Sequence, residues 1–211
     1  MRITMEADYA IRILYHLSKE NMRCDSGAMA EKLGIPFYDK ELITAAAKQS
    51  GLCDSFLQNF EETPTSSLMY SLVMNAQNGG FYMGKPIELV AYEAQINAVR
   101  EAAKNGPCVI VGRCADYILK DDYDVVSVFI TASPEYRAAR AAKLENISIK
   151  EAQAKLNRMD KARASYHNYH AETKWGASDS YELCINSEKL TTEQAADLIK
   201  FYIDNRKAPE E

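Results

Sequence analysis

The chain has 211 residues, 47% hydrophobic and 26% charged, with a formal net charge of -5 at pH 7. That length supports one sizeable core with at most a small appendage, and the acidic balance argues against wholesale nucleic-acid binding while leaving room for a local basic face. Five dispersed cysteines without a C-x-x-C pair (Cys24, Cys53, Cys108, Cys114, Cys184), no apolar run near the roughly 18 residues of a membrane span, and acids in the opening MRITMEADYA together predict a cytoplasmic protein with reduced thiols, no metal site and no membrane contact.

Thr4 is positioned to cap a helix whose apolar residues Ala10, Ile13, Leu14 and Leu17 keep helical spacing. Asp25 opens a second, short helix ending near Leu33, with Gly34 as its stop. IPF is a brief extended piece, and Asp39 caps a third helix running to about Lys48. A further short helix is expected from about Asp54. NGGFYMGKP, at 78–86, is the most turn-rich stretch and reads as a surface loop. A long helix follows Pro86 to about Asn105.

The pattern then changes. CVIVG at 108–112, VVSVFIT at 125–131 and YELCIN at 181–186 are short apolar runs separated by helical segments. Such runs suggest buried parallel strands with crossover helices. Helices are expected from Pro134 to about Glu145, from about 148 to 172, and from about 192 to 204. The fold class is therefore α/β, light in strands.

From Arg137 to Arg163 eight basic residues (Arg137, Arg140, Lys143, Lys150, Lys155, Arg158, Lys161, Arg163) face three acidic ones (Glu145, Glu151, Asp160). Transfer of a phosphoryl group spreads charge over phosphate oxygens and needs such cations. A solvated helical face with internal ion pairs is the alternative. Asp160 and Arg163 share a face at i, i+3. Arg113, in VGRCADYIL, directly follows a strand, where ligands of open α/β sheets bind; local capping or pairing is its alternative. His16, His167 and His170 lack metal-site spacing. With Tyr166, Tyr169 and Trp175, the last two histidines form packing, or at most a base-stacking wall.

A phosphate-cradling loop needs glycines whose backbone N–H groups converge, and typically a Lys before Ser or Thr. Gly27 is the only glycine before Gly34, and the one Gly-Lys pair, Gly84-Lys85, runs into Pro86. Neither that loop nor an apolar strand preceding it is legible at the start of the chain.

AEKLGIPFYDKELI, GPCVIVGRCADYIL, VFITASPEYRAAR, MDKARASYHNYH and KWGASDSYELCINSEKL together resemble the bacterial cytidylate kinase-like family of the P-loop nucleoside monophosphate kinases, over about residues 30 to 204. The resemblance implies a three-layer parallel sheet with flanking helices, a nucleotide substrate, and ATP with Mg²⁺. It also implies roles: Arg113 on the acceptor phosphate, Asp39 near the acceptor, Asp160 toward the acceptor ribose, and Arg163 on the transferring phosphate, with Arg158 counted with Asp160 and Arg163 among the catalytic residues. Arg137 and Arg140 fall near the donor nucleotide. Cys114 replaces the Asp of the family's G-R-D motif, which helps read cytosine.

Residues 1–36 instead resemble the first two helices of small iron–sulfur or redox-responsive winged-helix repressors, which begin M-R-I-(S/T) and continue Y-A-(I/L)-R-I. This gives an expected division into a helical, partly helix-turn-helix-like segment at 1–33 and a kinase-like domain at 34–211, lacking the usual first strand and P-loop. The five basic and five acidic residues of 1–36 cancel, which disfavours DNA binding. Two functions stay open: phosphoryl transfer to a nucleoside monophosphate, with the absent loop arguing against efficient turnover, or a non-catalytic nucleotide-binding or transcription-regulator-like module. A homo-oligomer is compatible with either.

Overall fold

The computed structural model describes residues 9–15, 29–39, 81–82 and 85–206. In chain order the strands are β1 (Tyr9–Tyr15), β2 (Phe37–Tyr38), β3 (Phe81–Tyr82), β4 (Lys85–Pro86), β5 (Cys108–Ile110), β6 (Asp124–Thr131) and β7 (Leu183–Asn186). The helices are α1 (Ile87–Lys104), α2 (Ala115–Leu119), α3 (Pro134–Glu145), α4 (Ile149–His170) and α5 (Thr192–Asn205). Five strands form one sheet in the order β2-β5-β1-β6-β7, every pair parallel. β3 and β4 form a small antiparallel pair inside the stretch expected to be loop.

The sheet alternates as a two-sided core should. Val109, Val126, Val128, Ile130 and Ile185 face one layer, made of Met29 and Ala30 in the helical turn 29–33 and Ala196, Ile199 and Ile203 of α5. Cys108 and Ile110, one residue out of phase with Val109, face the other layer, where Ala98, Val99, Ala102 and Ala103 of α1 meet Ile118 and Leu119 of α2. The result is the expected three-layer α/β architecture.

Residues 9–15 are strand, and this corrects the helix expected from Thr4 to about Leu17. It also corrects the absence of a first strand, because β1 is the central strand, paired with both β5 and β6. The cause is ambiguity in YAIRILY. Its apolar residues satisfy helical spacing, yet a short β-branched and aromatic run fits a two-sided parallel strand equally well. Pairing with β6 along its whole length and with β5 over Ala10–Arg12 is available only to the strand. The likeness to a repressor's first helix therefore does not describe these residues. The helices expected from Asp39 to Lys48 and from Asp54 lie outside the described residues, as does the segment immediately after Tyr15.

The second expected helix ends as read: residues 29–33 are helical, and Gly34 turns out of them at φ 67. α3 starts at Ser133, whose hydroxyl accepts from Tyr136 N–H, with Pro134 in its first turn. It ends at Asn146 in the left-handed region. Ser148 and Glu151 then build a capping box for α4, and Thr191 and Gln194 build one for α5. The short link between α3 and α4 folds them into a helical hairpin with its own core of Ala138, Ala141, Ala142, Ala152 and Leu156.

Candidate functional site

In open α/β sheets ligands sit beyond the carboxyl ends of the strands, where the strand order reverses. Here the order reverses at β1. Asp39 follows β2, and Arg113 lies just past β5, the strand paired with β2. Val111 N–H still donates to Tyr38 carbonyl at 2.9 Å, so Asp39 and the VGRC turn leave the sheet side by side. Asp39 is buried and Arg113 half-buried.

The VGRC turn carries unusual backbone. Gly112, Arg113 and Cys114 have φ values of 77, 59 and 52 in succession. Two adjacent non-glycine residues in the left-handed region cost about 1–3 kcal/mol each and cluster where function demands them. The turn carries Arg113 just past the strand end, while the next residue, Cys114, is 1% exposed. The Cys114 Sγ lies 3.8 Å from His167 Nδ1, and His167 Nε2 is 2.9 Å from Thr173 Oγ1.

On the other side of β1, β6 leads into α3, and the α3–α4 hairpin brings its charges together. Arg137, near the start of α3, and Asp160, in α4, lie at matching heights on the two antiparallel arms. They form a two-pronged pair, Nη1 to Oδ2 at 2.8 Å and Nη2 to Oδ1 at 2.9 Å. Arg137 is 7% exposed. Arg163, one turn beyond Asp160, is the third member of the group. Burial weakens the hold of its guanidinium on its proton; the neighbouring Asp160 opposes that effect and Arg137 adds to it. Two arginines packed beside one carboxylate leave a local excess of positive charge suited to an anion.

The basic segment divides on this hairpin. Lys155 pairs with Glu145 at 2.6 Å. Lys143, Lys150 and Lys161 are exposed. Arg158 is exposed as well: two residues from Asp160, it points about 200° around the helix from it, away from the Arg137–Asp160 pair. Arg140 is half-buried on α3. The sequence-predicted residues thus form one group of Arg137, Asp160 and Arg163 and a second pair of strand-end residues, Asp39 and Arg113.

Sequence reasoning passed over Tyr92 and Gln95 of α1. Gln95 is 1% exposed, and its Oε1 accepts from Tyr166 O–H at 2.7 Å. His170 stacks on Tyr92 with ring centroids 3.9 Å apart and touches Tyr166 and Tyr169. The signal was a glutamine on the apolar face of α1, at i, i+4 and i+7 to Val99 and Ala102. Trp175 stands apart from this group, edge-on to Phe129.

Among the described residues no group of three or more His, Cys, Asp or Glu side chains is arranged to hold a metal ion, and Cys108, Cys114 and Cys184 are free thiols. A Mg²⁺ ion is commonly held by one or two carboxylates plus nucleotide phosphates, which the arrangement here accommodates only with the phosphates supplied. A depression of about 720 Å³ lies at the opposite end of the sheet, lined among others by Asp124, Glu172, Glu182 and Arg206. Its carboxylates make it a poor phosphate site, and Arg206 is already engaged with Asp124 at 2.5 Å and Glu182 at 3.8 Å. No helix among the described residues is long and apolar enough to cross a membrane.

Parallel sheet, reversal at the central strand and arginine-bearing helical hairpin define the architecture of small-molecule and nucleotide kinases. A shikimate kinase from Acinetobacter baumannii shares it, with a TM-score of 0.51 and 12% identity over 96% of each chain, a likeness of fold alone. An uncharacterized protein from Eubacterium ventriosum is 30% identical, with a TM-score of 0.67 over 95% of this chain and 99% of its own. A cytidylate kinase from Pyrococcus horikoshii is 35% identical over 106 residues, so the match spans about half of that relative: 50% of this chain and 54% of the other. Residues 27–189 match the model of the cytidylate kinase-like family, and the chain belongs to that family.

Proposed function

We propose that the chain binds a nucleoside monophosphate at the carboxyl edge of its sheet and transfers a phosphoryl group to it from ATP. The observation that carries this reading is the convergence of Arg137, Asp160 and Arg163 on the α3–α4 hairpin. In this reading Arg113 holds the acceptor phosphate and Asp39 borders the acceptor. Arg163 meets the transferring phosphate, where charge spreads over its oxygens in the transition state. Asp160 uses both oxygens on Arg137, so it orients that arginine; contact with the acceptor ribose requires it to release one of those bonds. Arg137 and Arg140 serve the donor side. Mg²⁺, bound with ATP, supplies charge neutralisation. Arg158 stays outside the group.

The test is a coupled assay with ATP, Mg²⁺ and a panel of nucleoside monophosphates. Arg163→Ala is expected to lower kcat about a hundredfold, the usual scale for losing one preorganised donor, with its melting temperature kept. Turnover equal to that of Arg163→Ala would sink the enzyme reading. A second reading, nucleotide binding without efficient turnover, is favoured by the sequence at the start of the chain, where Gly27 is the only glycine before Gly34. Calorimetric titration with ATP and CMP separately distinguishes the two: binding without turnover supports the second.

A further inference from the structure

The turn that carries Arg113 needs something to hold it. Arg113 and Cys114 both sit in the left-handed region, at φ 59 and 52. Residues other than glycine keep that conformation only where their surroundings over-determine it. Part of the hold is local. The Gly112 carbonyl accepts from Ala115 N–H at 3.2 Å and the Cys114 carbonyl from Ile118 N–H at 2.9 Å, which ties the turn to the start of α2. These bonds do not reach the α3–α4 hairpin, where the other arginines lie.

The Cys114 side chain does reach it. Its Sγ lies 3.8 Å from Nδ1 of His167, in the last turn of α4. Both residues are buried, at 1% and 2% exposure. The other ring nitrogen, Nε2, is 2.9 Å from Thr173 Oγ1. The His167 carbonyl accepts from Ala171 N–H at 2.8 Å at the helix end. With a partner on each ring nitrogen, the imidazole is held in one orientation. Asp160, Arg163 and His167 stand at i, i+3 and i+7, so one face of α4 carries all three. His167 lies about 6 Å along the axis from Arg163. One helix therefore bears the cationic group and, a turn further on, grips the turn that carries Arg113. Transfer between two bound phosphates depends on that spacing, because a misplacement of about 1 Å far from the chemistry can cost about a hundredfold in rate.

We infer that His167 is a positioning residue for the proposed transfer: through Cys114 it holds Arg113 at a set reach from Arg163. This rests on the reading of the strand-edge site as a nucleoside monophosphate site. His167 acts through the turn and not on the substrate. Cys114 stands where the related G-R-D motif has its base-reading Asp, but its side chain is committed to His167 and does not select the base.

The experiment measures CMP, UMP, AMP and ATP affinities by calorimetry, with KM and kcat for each monophosphate that turns over. The proteins are the wild type, His167→Phe, Cys114→Ala and Cys114→Ser, with melting curves for each. His167→Phe keeps a ring and removes both nitrogens. It should weaken CMP about tenfold, the scale of one lost hydrogen bond, and raise the KM for CMP in step, with ATP affinity within about twofold of wild type. Cys114→Ala should follow it, and Cys114→Ser, which keeps a hydrogen-bonding group, should recover most of the loss. The order of preference among CMP, UMP and AMP should be the same in all four. A folded His167→Phe that keeps wild-type CMP affinity, or that loses CMP and ATP equally, overturns the inference and leaves the proposed function standing. A changed order of preference in either Cys114 variant overturns it too, by making Cys114 a base contact. CMP binding with the expected pattern but no turnover keeps His167 as the positioner of Arg113 and removes the catalytic reading. No binding of any monophosphate removes both. Should His167→Phe fail to fold, Thr173→Val decides. Thr173 is exposed, and losing its hydrogen bond to the ring should weaken CMP about threefold and leave ATP unchanged; an unaltered CMP affinity overturns the inference.

Discussion

Arg137 and Asp160 form the best-defined ion pair of the site, and its depth sets its energetics. With side chains 9% and 23% exposed, the pair has lost much of its water. Removing one partner strands the other, at about 3–5 kcal/mol for fully buried pairs and less here because Asp160 keeps some solvent. Asp160→Leu should therefore destabilise the fold by about 2 kcal/mol, and adding Arg137→Met recovers part of that loss, since Arg163 is still left without its carboxylate neighbour. Urea denaturation of the four members of the double-mutant cycle measures both values. His170 gives a pH signature. Its unfolded pKa is near 6.5, and burial among Tyr92, Tyr166 and Tyr169 lowers the folded value to about 4. Between those values the unfolded chain binds more protons, so stability falls as pH drops from about 6.5 to about 4. At about 1.4 kcal/mol per pKa unit the loss attributable to His170 is about 2–3 kcal/mol. His170→Phe keeps a ring in place and should be flatter over that window by this amount, as read by denaturant midpoints at each pH.

At the scale of elements, the α3–α4 hairpin is a semi-independent unit. Its core of Ala138, Ala141, Ala142, Ala152 and Leu156 is separate from both faces of the sheet. Leu156→Ala should cost about 2–5 kcal/mol, the range for buried leucine. Hydrogen exchange should locate that loss: amides of the two helices exchange faster, while Val109 and Val111, bonded to Pro36 and Tyr38 carbonyls, keep wild-type protection. Uniform acceleration across the sheet would show instead that hairpin and sheet open together. The same elements explain what could be read from sequence. The caps Ser133, Ser148 and Thr191 and the turns at Asn146 and Gly34 are local signals, so α3, α4, α5 and the end of the 29–33 turn fall where expected. β6 and β7 were equally legible, as short apolar runs between helices. YAIRILY was not, because its assignment depends on β5 and β6, which lie far along the chain. The same holds within the site. Arg137 and Asp160 could be nominated as charges, but their pairing follows from how the hairpin closes. Gln95 was missed because one polar residue in an apolar helix face gains meaning only from the rings of α4 opposite it.

For the molecule as a whole, the central place of β1 has a kinetic consequence. β1 is made early, yet both its neighbours come much later: Ala10 pairs with Cys108 on one side and Val125 on the other. Proteins dominated by such distant pairings fold in milliseconds to seconds, because chain entropy is lost before contacts compensate it. Stopped-flow refolding should be correspondingly slow, and a microsecond main phase would contradict the pairing. During synthesis the two edges of β1 have no partner until β5 and then β6 leave the ribosome, and unpaired strand edges invite aggregation. Expression of this chain should accordingly depend on chaperone capacity and temperature more than the modest length of the protein suggests.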